Sequence, residues 1–248
     1  MIQLTKIACV CALAGLLTPS LSAATINADF SRDVSAGKPN PGGNTAGVLY
    51  TGAGPALSSG TTWNDLQVPL TATGDTVPAG TLFTDLDASD GTATTIDIEL
   101  TSGFFRSFNA SNAGVVASTD KALQNERVFS NNGNVAVMTI KGLDTAKTYD
   151  IYLIGANFST EYTIGAISQV ASGANSSDGS WTIDEDYVKF AGVVSNGSGE
   201  IAVSIQDGAN PIDSFGVIAG LQIVEVPEPS SLALLGLGSL FIARRRRA

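Results

Sequence analysis

Three carboxylates fall in the spacing Asp85-x-Asp87-x-x-Asp90, followed by Gly91, inside a turn-rich stretch. Clustered hard oxygen ligands suit Ca2+, so Asp85, Asp87 and Asp90 are the predicted metal ligands, and calcium is the only cofactor the chain suggests. The third acid and the glycine stand one residue later than an EF-hand loop requires, and its closing glutamate is absent. An acidic surface loop held by its own Asp side-chain turns is the alternative. Asp184, Glu185 and Asp186 form a second, lesser acidic group. Catalysis, if present, would also rest on carboxylates. Asp97 and Glu99 share one strand face, and glycoside hydrolysis needs one protonated acid with a second acting as base or nucleophile. The chain has no histidine, and its only two cysteines are Cys9 and Cys11. That excludes Ser-His-Asp and Cys-His systems from the body and removes the usual zinc ligands. For sugar stacking the candidates are Trp63, Trp181 and Tyr162, since aromatic faces pair with apolar C–H patches. Burial as caps on the core is the competing role.

The elements that must position these residues read as strands separated by turns. Ile96, Ile98 and Leu100 alternate with Asp97 and Glu99, the period-2 pattern of a half-buried strand. Val135 to Ile140, Thr148 to Ile154, Tyr187 to Val194, Glu200 to Ile205 and Val217 to Val224 repeat it with β-branched and aromatic residues. Turn chemistry fills the gaps, and Ser195-Asn196-Gly197-Ser198-Gly199 between two alternating runs predicts a hairpin. Thr119 to Arg127 is the one weak helical candidate in the body. Phe104, with either Phe105 or Phe108, is expected in the core. The expected fold is all-β: a single antiparallel β-sandwich, jelly-roll-like. A separate N-terminal signal-peptide helix and a short C-terminal hydrophobic helix flank it.

Both ends carry processing signals. Lys6, an apolar run from Ile7 to Leu17 and a small-residue stretch to Ala24 follow the three-part pattern of a secretory signal peptide. Cleavage after Ala24 places Ser22 and Ala24 at the two small positions; cleavage after Ala23 is the alternative. The predicted division is a signal peptide over 1–24, a body over 25–225 and a terminal signal over 226–248. Both cysteines leave with the leader, so the exported body relies on packing alone. Eight of the 13 basic residues and all 23 acidic ones lie between Thr25 and Pro229, a net charge near −15. Such a surface repels nucleic acid and anionic lipid.

At the C-terminus, Pro227 and Pro229 prevent a helix from entering from upstream. Ser230 to Ala243 is uncharged and would span roughly 21 Å as a helix, against about 30 Å of hydrocarbon. Arg244 to Arg247 favour the cytoplasmic side. These dimensions suit a temporary membrane handle better than a permanent anchor. Val226-Pro227-Glu228-Pro229, Ser230-Ser231, the Leu/Gly-rich run and the terminal arginines resemble the PEP-CTERM sorting signal of exopolysaccharide-producing Gram-negative bacteria. The resemblance makes Pro227, Glu228, Pro229 and Arg244, Arg245, Arg246 and Arg247 the sorting motif. It implies recognition by an exosortase, a membrane cysteine transpeptidase, after transient insertion in the inner membrane. Loss of the tail and delivery to the outer cell surface or extracellular matrix would follow. Signal peptidase is the other implied export partner.

Within the body, Gly142-Leu143-Asp144-Thr145-Ala146-Lys147-Thr148-Tyr149-Asp150-Ile151-Tyr152 resembles the turn and strand of galactose-binding-like sandwiches. Gly220-Leu221-Gln222-Ile223 resembles their closing strand. The likeness implies a fold, with ligands in loops at one end, and no individual binding residue. The expectation is a secreted surface or matrix protein that is not an enzyme and binds exopolysaccharide. The rival is a carbohydrate-active enzyme using a carboxylate pair.

Overall fold

The computed structural model describes residues 24–32, 50–56, 62–69, 76–108, 120–130, 133–174, 178–208 and 215–227. In chain order they form β1 (Thr25–Arg32), β2 (Asn64–Val68), β3 (Thr81–Phe83), β4 (Asp97–Ser102) and β5 (Phe104–Phe108). A one-and-a-half-turn helix, α1 (Asp120–Asn125), runs directly into β6 (Glu126–Ser130). Then come β7 (Ala136–Lys141), β8 (Thr148–Ile154), β9 (Thr160–Ile164), β10 (Ile167–Ala171), β11 (Tyr187–Val194), β12 (Ile201–Asp207), β13 (Val217–Ile218) and β14 (Gly220–Val226). The predicted signal-peptide helix and the hydrophobic helix of the tail lie outside the described residues. No helix among the described residues is long and apolar enough to cross a membrane.

The strands make three sheets, ordered β11-β8-β14-β1-β2, β10-β9-β12-β7-β4-β3 and β13-β6-β5. Among the described strands the ladders are antiparallel except for β1 and β2, which run parallel with Phe30 opposite Leu66. The long connection between them lets the chain return to the same end before pairing, as a parallel neighbour requires. Alternation carries the core. In β7 the burial pattern is strictly alternating, Ala136, Met138 and Ile140 inward. Phe30, Leu66, Ile151, Leu153, Phe190, Leu221 and Ile223 of the five-stranded sheet share one hydrophobic cluster with Ile98, Leu100, Met138, Ile140, Val203 and Ile205 of the six-stranded sheet. Phe104 belongs to the same cluster; the side chains of Phe105 and Phe108 are outside the described set.

The turn at Ser195–Gly199 corrects the hairpin expectation. β11 pairs with β8 and β12 pairs with β7 and β9, so this turn carries the chain from one sheet to the other. Its local chemistry is as expected: Asn196 Oδ1 accepts from the N–H groups of Ser198 and Glu200, both at 2.9 Å. A tight turn fixes only the local reversal, and tertiary packing decides the partner. Here a bulge between Phe190 and Val193 bends β11 before the turn, and Leu143 N–H donates to Gly199 O at 3.0 Å, docking one corner on another.

Candidate functional site

The outer face of the five-stranded sheet is where polar and aromatic groups gather. On β1, Ile26, Ala28 and Phe30 belong to the core cluster, which puts Thr25, Asn27, Asp29 and Ser31 on the opposite face. Those four are nevertheless buried, Asn27 at 0% and Asp29 at 1% exposure. The segment 50–56 runs against Asp29 and Gln222 of this face as a strap held through its backbone. Tyr50 N–H donates to Asp29 Oδ2 (3.0 Å) and Ala56 N–H to Gln222 Oε1 (2.8 Å). Trp63 Nε1–H donates to Gly52 O (2.9 Å) and Trp181 Nε1–H to Ala53 O (2.8 Å). Beneath it Gln222 Nε2 donates to Asn27 Oδ1 at 2.8 Å. Gly54 permits the approach, because a Cβ there would stand 2.5 Å from the Gln222 amide.

Trp63 and Trp181, far apart in sequence, therefore meet around one segment. Tyr50 joins them edge-on, with ring centroids 4.9 Å from Trp63 and 6.4 Å from Trp181. Trp63 is buried, so its indole fastens the strap and offers no face to a ligand; Trp181 keeps part of its ring in solvent. Tyr162 lies wholly in the core, its hydroxyl donating to Val217 O at 2.5 Å. Burial raises its pKa, and no sugar reaches its ring.

Two aromatics that sequence reading passed over extend the exposed row. Tyr187, like Trp181, packs against the same small cluster, and its ring lies 6.0 Å from that of Tyr152. Both tyrosines are half-buried, and Lys189, cross-strand from Tyr152, sits 5.2 Å over its ring while pairing with Asp150 at 2.6 Å. The loop before Tyr187 is rigidly built. Asp186, 1% exposed, accepts Thr182 N–H (2.8 Å) and Gln124 Nε2–H (3.1 Å), while Asp184 holds φ 64°. Exposed Ile183 (50%) projects from that loop. Of the acidic trio 184–186, Asp186 is thus a structural anchor.

The predicted calcium ligands do not converge. No group of three His, Cys, Asp or Glu among the described residues is arranged to hold a metal ion. Asp90 Oδ1 instead accepts Thr92 N–H (2.9 Å), which lowers its pKa. The N–H groups of Asp85 and Asp87 donate to Asp97 Oδ1 (2.9 Å) and Asn64 Oδ1 (2.8 Å). These are turn-stabilising bonds of the kind short Asp side chains make. Asp97 is engaged in the same way, and Glu99 pairs with Lys141.

The electrostatically unusual acid is Asp29, which sequence reading missed. Burial pushes its pKa well up, the Tyr50 N–H opposes this, and the charges of Glu126 and Asp65 add to the rise. Its Oδ1 has no hydrogen-bond partner among the described residues. Asp65 is itself tied to the Ser31 hydroxyl. A raised native pKa means the folded state holds a proton that the unfolded chain has lost. Stability is therefore greatest below the unfolded carboxyl pKa of about 3.9 and falls as pH rises toward the native value, by about 1.4 kcal/mol per pH unit. Asp29→Asn, which keeps an acceptor for Tyr50, should gain thermal stability relative to the parent as pH rises from 4 to 8. Melting scans showing a constant difference across that range would refute the assignment.

The sorting region begins inside this fold. A PEP-CTERM protein-sorting motif matches residues 225–247. Its first two residues, Glu225 and Val226, are the last of β14, and Pro227 ends the strand. Glu228, Pro229 and Arg244 to Arg247 lie outside the described residues. The motif marks an exosortase-targeted secreted protein, exported to a surface or membrane-associated location. Among solved structures the chain is similar to the ANX2 ectodomain from Arabidopsis thaliana, with TM-score 0.38 and 12% identity over 83% of this chain and 51% of that one. The ANXUR1 extracellular domain from Arabidopsis thaliana gives TM-score 0.37 and 15% identity, over 82% and 48%. The chain spans about half the length of these structures. No curated protein sequence matches it.

Proposed function

We propose that the body is a non-catalytic module that holds a neutral polysaccharide of the extracellular matrix, displayed outside a Gram-negative cell by its sorting tail. The observation that carries this reading is the half-buried row Trp181, Tyr187 and Tyr152 on one sheet face, with Ile183 beside it. Flat rings on a rigid support suit the C–H faces of pyranose rings. Charge favours a neutral polymer over an acidic one. The body is strongly anionic, and Lys141, Lys147 and Lys189 are each paired with a carboxylate. The shared cluster of the two large sheets supports a single jelly-roll-like sandwich as the scaffold. The enzymatic alternative is disfavoured because Asp97 and Glu99 are engaged in turn and ion-pair contacts, while Asp29 is covered by the strap.

A glycan array probed with the secreted protein, with calcium and with chelator, tests the reading. Neutral polysaccharides should bind equally in both buffers, and Tyr152→Ala should weaken the best of them about tenfold, as loss of one stacked ring predicts. Tyr152→Phe should retain most of the affinity. Absence of glycan binding in both buffers would leave a purely structural role.

A further inference from the structure

The leader and the sorting tail leave the body at the same place. β1 and β14 are antiparallel neighbours with Thr25 opposite Val224, and Glu225 N–H donates to Ala24 O at 2.9 Å. On its other side β14 stays paired with β8 through Val226, opposite Thr148. Lys147 Nζ adds an ion pair to Glu225 at 2.9 Å. The sorting match thus starts within a strand flanked by pairing partners on both sides, and Pro227, lacking an N–H, stands where the ladder ends.

We propose that the sorting transpeptidase acts on a body that has already folded, with both membrane-held ends emerging side by side from one end of the five-stranded sheet. The inference rests on reading residues 1–24 as a leader and 226–248 as a membrane handle. A chain inserted at both termini can fold around them only if they leave the body close together; otherwise an end strand must stay unpaired or the body must lie flat. Here nothing in β14 has to wait for tail removal, since its last paired residue precedes Pro227. Leaving β14 out would expose Leu221 and Ile223, both buried in the main cluster, and break two ladders.

The same topology orients the body. Around the exits lie the Gly142–Lys147 turn and the Ser195–Gly199 corner, joined by the Leu143–Gly199 bond. Tyr187 is opposite Ile154, the last residue of β8, whereas Thr148, its first, is opposite Val226. Along the strand, at roughly 3.3 Å per residue, Tyr152 therefore lies about 13 Å and Tyr187 about 20 Å from the exits. The aromatic row lies on the half of the sheet farther from the membrane while the chain is tethered.

Cysteine pairing tests the order of events, because the body itself contains no thiol. Thr25→Cys with Val224→Cys, in a chain also carrying Cys9→Ser and Cys11→Ser, places two thiols on directly opposed residues. Their Cα separation of about 4.5–5.5 Å lies within disulfide range. In a host lacking the sorting transpeptidase, most of the exported, tail-bearing precursor should run as the cross-linked form on non-reducing gels, with neither single-cysteine control shifted. Free thiols in that precursor, joined only after tail removal, would overturn the proposal. Limited proteolysis of the precursor without introduced cysteines gives an independent readout. It should show a resistant fragment spanning β1 to β14 while the tail is attached, and complete digestion would contradict it. Failure of the tail to be removed in the normal host would instead strike at the sorting assignment and leave the cross-link result standing.

Discussion

Alanine at Pro227, Glu228 and Pro229 is expected to leave the protein at full tail length in the inner membrane, with release falling to background. The triplet lies between the end of β14 and the uncharged run that begins at Ser230. From sequence, two prolines there are predicted to favour an extended link, since each lacks a backbone N–H and restrains the residue before it. Alanines would let a helix continue from the apolar run toward the body and hide the recognition point. The effect should be close to all-or-none, because a chain that is not recognised keeps both the apolar run and the four arginines that hold it. Fractionation with an antibody to the body reads the result. Normal release of the triple variant would remove the sorting assignment.

The largest loss of stability from a single methyl group is expected at Gly142. The residue holds φ +74° in the turn that sends the chain from β7 in one sheet to β8 in the other, and an added Cβ would run into the carbonyl of Thr95. Left-handed strain and steric overlap each cost about 1–3 kcal/mol, so Gly142→Ala should lose roughly 2–5 kcal/mol. For a body of this size each kcal/mol lowers Tm by about 2–4 °C. Gly133→Ala is the matched control: φ is +70°, but nothing stands within 4 Å of the added carbon. It should show the strain alone. Equal melting temperatures for the two variants would mean that the Thr95 contact does not hold the corner.

Strand content was legible wherever one face is wet. Thr148–Ile154 and Tyr187–Val194 coincide with β8 and β11, and Asp97, Glu99 and Thr139 mark the outward positions of β4 and β7. The weak helical stretch from Thr119 to Arg127 condenses to α1, after which Glu126 and Arg127 already belong to β6. Arg127 is buried there, its pKa pushed down to about 10, which its charge alone would not suggest. What the sequence hides is pairing. Local turn chemistry at Ser195–Gly199 is indifferent to whether the chain stays in one sheet or crosses to another. β1 shows why the candidate site is hidden in the sequence: alternation places Asn27, Asp29 and Ser31 on the face opposite the core, yet all three are buried and the segment 50–56 bonds to Asp29. Tyr152 and Tyr187 escaped as ordinary strand aromatics, because only the pairing of β8 with β11 brings their rings together. The two tryptophans chosen from sequence do meet, through Tyr50, but one of them serves entirely as a fastener.

Central to the proposed function is a working protein that consists of the folded body alone, released from signals at both ends. Intact-mass analysis of the protein recovered outside the native host tests this directly. The expected chain begins at Thr25, or at Ala24, retains Val226 and lacks everything beyond the Pro227–Pro229 region. A recovered mass that still includes Arg244 to Arg247 would contradict it.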